Sequence, residues 1–245
     1  MRVIQILPQL NIGGVERGTL DLSKALIKQG HESFVISGGG ILVDELIRSG
    51  AKHYEIPVHI KSLRTLCLAK SLSEKISSID PDIVHIRSRM PAWVNYRAFK
   101  TLKKKPLLIS TFHGLYSFPI YSKVMSFVDH SIAISKTVER YILENYRLDK
   151  DDITVIPRGC DPIEFNNDVI NPVDKANIIE EFPQIVGKKV LTIPGRITKW
   201  KGVAEFIELL SLLDDNYHGL IVGPTAKSKK KYLKKLQNKV SSLNL

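Results

Sequence analysis

The chain has 245 residues, enough for one large domain or two modest ones with a sizeable core. Its 43% hydrophobic and 25% charged content excludes a disordered or fibrous protein, and its two distant cysteines, Cys67 and Cys160, offer no metal-ligand spacing and point to a reducing compartment without a disulfide. A formal net charge of +11 points to an anionic contact (nucleic acid, a phospholipid surface or a phosphorylated substrate) or to nothing more than a solvated, lysine-rich surface.

In chain order, residues 1–8 are too short and interrupted for a secretory leader and read as a first buried strand. No apolar run approaches the roughly 20 residues that span a bilayer, so the expected location is cytoplasmic. Strands are predicted at 3–7, 33–37, 53–56, 83–86, 107–111, 131–134 and 153–156, and helices at 15–28, 43–49, 63–79, 91–103, 120–127 and 136–145. This alternation, with strands apolar at successive positions, predicts an α/β fold built on a doubly wound parallel sheet. Prolines and a glycine from Pro157 to Pro183 break the rhythm. Three segments follow: a Rossmann-like acceptor-side domain at 1–165, a connection at 166–187, and a partial donor-binding domain at 188–245. The last holds strands at 190–193 and 219–222, a helix at 203–213 and a lysine-rich helix at 228–241. That domain is short for a doubly wound sheet, and one edge of its first strand is expected to lack partners.

Four constellations could carry chemistry. Gly13-Gly14-Val15-Glu16-Arg17 opens a helix after the first strand, where backbone amides and the helix dipole favour an anion. It is not G-x-G-x-x-G, so no dinucleotide fingerprint is supported, and a glycine-rich packing turn is the plain alternative. Ile83-Val84-His85-Ile86-Arg87-Ser88-Arg89 ends a strand with cations at the same rim; alternation buries His85, while Arg89 is either a substrate contact or a surface salt bridge. His113, in Thr111-Phe112-His113-Gly114, ends another strand where open α/β sheets place ligands; a hydrogen-bonded structural histidine is the alternative. Last, the strand at 190–193 runs into Pro194-Gly195-Arg196 and on to Lys201-Gly202 at a helix start, two cations suited to a diphosphate.

Taken in order, these pieces resemble the retaining family-4 nucleotide-sugar glycosyltransferases. The resemblance runs over the whole chain and includes Asp82-Ile83-Val84-His85, Ser88-Arg89-Met90-Pro91-Ala92-Trp93 and residues 155–165, Val155-Ile156-Pro157-Arg158-Gly159 onward. The Ser88–Trp93 piece is most similar to bacterial members that build lipopolysaccharide or other envelope glycans. The resemblance implies two Rossmann-like domains facing a cleft (the GT-B arrangement), the second incomplete here. It also implies transfer of a sugar, with retention, from a nucleoside diphosphate sugar to an envelope glycan or lipid-linked acceptor. On that analogy Gly14, Arg196 and Lys201 bind the donor diphosphate, His113 touches the transferred sugar, and Glu16 and Arg89 lie on the acceptor side. No metal and no cofactor are implied, the nucleotide sugar being a substrate.

Family members also carry an E-x7-E glutamate pair further along the second domain. This sequence ends first, and Glu205 and Glu208 have neither the spacing nor the position to replace it. Two readings therefore stand: an enzyme, truncated here or completed by a second polypeptide, and a non-catalytic remnant that binds nucleoside diphosphates. Nucleic-acid binding ranks behind both, for want of a motif or a stacking platform. In the basic helix Tyr232, Leu236 and Val240 repeat on the side opposite the lysines, which predicts a docked apolar face; peripheral contact with anionic lipid on the inner membrane face is the sharper reading of the exposed charge.

Overall fold

The computed structural model describes residues 1–60, 62–116, 119–163, 165–166, 170–225 and 229–245; Glu164 and Ser228 of the segments above lie outside them. The chain divides into two compact units, Met1–Gly159 and Cys160–Leu245.

In the first unit, apolar runs become strands because helices cover both of their faces. β1 (Arg2–Ile6), β2 (Glu32–Ser37), β3 (Lys52–Glu55), β4 (Ile83–Ile86), β5 (Leu107–Phe112), β6 (His130–Ala133) and β7 (Ile153–Val155) form one parallel sheet in the order β3-β2-β1-β4-β5-β6-β7. Between them run α1 (Gly14–Lys28), α2 (Val43–Arg48), α3 (Ala69–Ile79), α4 (Arg89–Phe99), a short α5 (Pro119–Ser122) and α6 (Lys136–Asn145). Residues Ile4, Ile6, Val84, Ile86 and Phe112 belong to the larger core cluster, while Leu7, Leu10, Leu20 and Val35 form a second. Phe112 is fully buried, which contributes about 2–3 kcal/mol.

The strand order places β1 between β2 and β4, so the chain leaves β1 for one flank and returns at β4 to build the other. The loops after β1 and β4 therefore diverge and leave a crevice at the carboxyl ends of the strands. The glycine loop and Glu16 follow β1, and Arg87 and Arg89 follow β4.

All seven strands and the six helical regions fall where the sequence pattern puts them, with three shifts. Residues 63–68 coil as a 3₁₀ turn and only 69–79 are α-helical. α4 runs from Arg89 to Phe99, not 91–103, because extended Ser88 starts it and Pro91 fits its first turn, where no N–H is needed. Residues 123–126 form a 3₁₀ turn after α5.

The second unit holds α7 (Pro172–Glu181), β8 (Lys189–Pro194), α8 (Val203–Leu210), β9 (Tyr217–Val222) and α9 (Lys230–Ser242). α7 begins at Pro172 with the Asn171 side chain accepting from Val173 N at 2.9 Å, an N-cap followed by a pre-set first residue. α8 stops at Leu210, three residues short of the expected end. Among the described residues β8 pairs only with β9, in parallel. As expected, α9 docks by its apolar side: Leu236 is buried with Ile197, Val203 and Ile207, and Tyr232 and Val240 pack against them. No helix among the described residues is long and apolar enough to cross a membrane.

Candidate active site

The loop between β1 and α1 is held from the neighbouring loop. Leu10 N donates to Gly39 O and Leu42 N to Leu10 O, each at 2.8 Å. This contact needs Gly40, whose φ is +140° and where a Cβ would overlap the Leu10 backbone. The loop ends at Gly13, the N-cap of α1, which offers no side-chain cap; the Glu16 carboxylate folds back over Gly13, into the space a Cβ there would fill. Among the described residues the first amides of α1, from Gly14, have no acceptor, and an acidic residue stands in its first turn.

Arg158 ties this helix start to His113. Its guanidinium donates to Gly14 O and, at 2.8 Å, to His113 Nδ1. A guanidinium has no lone pair to accept with, so Nδ1 must be the acceptor and the ring proton sits on Nε2. Burial, with the charges of Arg87 and Arg158 beside it, pushes the His113 pKa down to about 3 and keeps the ring neutral. His113 Nε2 is buried and makes no hydrogen bond among the described residues.

Arg87 follows the last residue of β4 and is 6% exposed. Its Nη1 donates to Gln5 Oε1 at 2.8 Å, and Gln5 in turn donates to Thr19 O at 3.0 Å and Ser23 Oγ at 2.9 Å on α1. Its Nε has no partner among the described residues. Burial first, then the Arg158 charge, pulls the Arg87 pKa down to about 10, while Glu16 and Asp21 oppose the shift. Both guanidiniums press on Gly18 of α1: a Cβ there would stand 2.5 Å from Arg158 Nη1 and 3.3 Å from Arg87 Nη2. The glycine in mid-helix is the space these two cations occupy.

The other sequence-predicted residues take different positions. His85 is buried and bonds Thr111 Oγ1 on β5 through Nε2 at 2.7 Å, the structural role expected for it. Among the described residues Arg89 forms no salt bridge. Its guanidinium lies 4.8 Å from the Tyr116 ring centroid and 5.5 Å from that of Tyr121, with Nη1 donating to Ser122 Oγ at 3.4 Å. Gly14 and His113 are brought together through Arg158, and Glu16 lies on the first turn beside them. Arg196 and Lys201 belong to the second unit. Both are exposed, and among the described residues neither side chain has a hydrogen-bond or ion-pair partner. Lys201 closes a 3₁₀ turn, Lys199–Lys201, and left-handed Gly202 (φ 68°) then starts α8. The Lys201 stem lies against Gly195, 3.4 Å from where a Cβ would be.

Arg87 and Arg158 were legible as residues of motifs, but no role follows for them from sequence. The available signal was a cation directly after a buried strand in Ile86-Arg87, and a cation three residues past a strand end in Val155-Ile156-Pro157-Arg158.

Residues 12–164 match the family model described as Glycosyltransferase Family 4. The chain belongs to glycosyltransferase family 4. It is 33% identical to a glycosyltransferase from Rickettsia africae ESF-5 and superposes with a TM-score of 0.83, covering all of this chain and 65% of that one. Against Anabaena Alr3699/HepE it gives a TM-score of 0.82 at 16% identity, covering all of this chain and 66% of that one, a likeness of fold. One subunit of the human phosphatidylinositol N-acetylglucosaminyltransferase is 25% identical over 185 residues, 69% of this chain and 38% of the human one. The chain thus spans less than two fifths of the length of the curated relatives it matches. The seven-stranded parallel sheet and these structural neighbours agree with the expected α/β class of GT-B type.

Proposed function

We propose that this chain carries the acceptor-side unit and part of the donor side of a retaining glycosyltransferase. Its reaction moves a hexosyl group from a nucleoside diphosphate sugar to a hydroxyl of an envelope glycan or lipid-linked acceptor. The observation that carries this reading is the union of Gly14 and His113 through Arg158 at the carboxyl ends of the central strands. The solved HepE structure is a complex with UDP-glucose, which supports a donor of that class for a chain of the same fold.

The chemistry follows from the residues. Breaking a glycosyl–phosphate bond leaves negative charge on the departing diphosphate, and fixed cations aimed at that charge lower the barrier by about 3 kcal/mol for one well-placed donor. Arg196 and Lys201, unengaged among the described residues, take that part; in the first unit the amides at the start of α1, beginning with Gly14, favour an anion. His113 offers one group, the Nε2–H, and no lone pair. It therefore acts as a hydrogen-bond donor beside the transferred sugar and does not act as a general base. Glu16 and Arg89 flank the acceptor; the Tyr116 and Tyr121 rings hold the Arg89 guanidinium in place without neutralising it.

UDP titration by calorimetry tests the donor assignment. Arg196→Ala and Lys201→Ala are each expected to weaken binding at least about tenfold, the loss of one charge-assisted contact, with the first unit still folded by circular dichroism. Titration curves identical to wild type for both variants would sink it. With UDP-hexose and an extracted glycolipid fraction, an α-linked product from an α-linked donor is expected; an inverted product refutes retention.

A further inference from the structure

The first unit carries two guanidiniums side by side, neither of them in an ion pair among the described residues. Arg87 and Arg158 both lean on Gly18, and every acceptor they engage is neutral: Gln5 Oε1, Gly14 O and His113 Nδ1. Glu16 and Asp21 are the carboxylates whose charge reaches them, and neither forms an ion pair with them among the described residues. Two donors in the same cluster, Arg87 Nε–H and His113 Nε2–H, have no acceptor there, although Arg87 is 6% exposed. Native interiors seldom leave such groups unpaired. A water could satisfy a donor, but it could not balance two like charges.

We propose that Arg87, Arg158 and His113 form an oxyanion subsite within the first unit, filled by a phosphate or carboxylate group. A tetrahedral or planar oxyanion has lone pairs for several N–H groups at once, and it brings a negative charge into direct contact with the guanidiniums, which Glu16 and Asp21 do not. Gly18 is part of the subsite, because any side chain there would push the guanidiniums away. The subsite stands without the transferase reading; the identity of its natural occupant rests on that reading. On it, the occupant is either an anionic group of the acceptor next to the reacting hydroxyl or a phosphate of the donor.

The test is inorganic phosphate titrated into the whole chain labelled with ¹⁵N-histidine, at ionic strength held constant with chloride. The His113 Nε2 signal is expected to move saturably, with a dissociation constant of about 10 mM or tighter, and chloride alone to leave it in place. Arg158→Gln and Gly18→Ala should each weaken the phosphate response at least about tenfold, the other six histidine signals reporting that the fold is intact. Should Arg158→Gln fail to fold, Gly18→Ala and Arg158→Lys carry the comparison. A His113 signal that ignores phosphate, or that chloride moves equally, overturns the subsite. UDP added to the phosphate-saturated protein separates the sources: displacement of phosphate assigns the donor, and joint binding assigns the acceptor. If UDP does not bind at all while His113 still responds to phosphate, the donor assignment fails and the subsite holds.

Discussion

Acidification should unfold the first unit through His113. The folded ring titrates at about 3 against an ordinary value of 6.5, so between those values the unfolded chain takes up a proton that the folded one refuses. Stability is therefore complete above pH 6.5 and is lost as the pH falls toward 3. Between pH 7 and pH 5 the loss works out to about 2 kcal/mol for this one group. With a urea slope of about 2 kcal/mol per molar, the midpoint drops by about 1 M. Tryptophan fluorescence can follow it, because the chain has two tryptophans: Trp93 is packed in the first unit, its indole N–H donating to Tyr121 O at 3.0 Å, whereas Trp200 is 90% exposed and changes little on unfolding. His85, also buried and pushed well below its ordinary value, adds a loss of the same sign in wild type and variant alike. The comparison is His113→Gln against wild type: the variant should lose about 2 kcal/mol less than wild type over the same pH interval. Equal losses in both would refute the assignment of a neutral, low-pKa ring held by Arg158.

Gly223→Ala should destabilise the second unit by at least about 2 kcal/mol, since φ is +152° and the new Cβ would overlap Gly195 O. Proteolysis rate between Gly159 and Leu245 reads this, and loss of UDP binding should accompany it. Leu236→Ala removes the one fully packed residue of α9 and should cost about 2–5 kcal/mol; faster amide exchange in both α9 and α8 checks it. Arg89→Met keeps the apolar stem between Tyr116 and Tyr121 but removes the charge, so the fold should lose only about 1 kcal/mol, while acceptor KM rises and donor affinity stays unchanged.

The seven strands were legible because each is a short run of apolar residues bounded by turn formers, and burial on both faces makes that run nearly continuous. The helices were legible by their periodicity, but their ends were not: Pro91 reads as a start when it is the third residue of α4, and the 63–68 turn has the same apolar spacing as the helix that follows it. His113 could be picked out because it follows a strand end, and Gly14 because it opens the helix after one, in a fold that binds ligands there. Arg158 could not be given a role, since its partners lie 45 and 144 residues away in sequence. Gly18 was opaque for a similar reason. A glycine inside a helix reads as a weak point, and only the two guanidiniums packed against it explain why no other residue stands there.

The sheet order also sets when the molecule becomes competent during synthesis. β1 emerges first but cannot gain its second neighbour until β4 has been made, and Arg87 finds Gln5 only across 82 residues. Closing such long loops is slow, and parallel strands paired across them form late. Arg158, which joins the glycine loop to His113, stands one residue before the end of the first unit. A nascent chain would therefore expose the apolar edges of β1 and β4 to neighbours or chaperones for most of its translation, and could hold no ligand until the last few residues of that unit had left the ribosome.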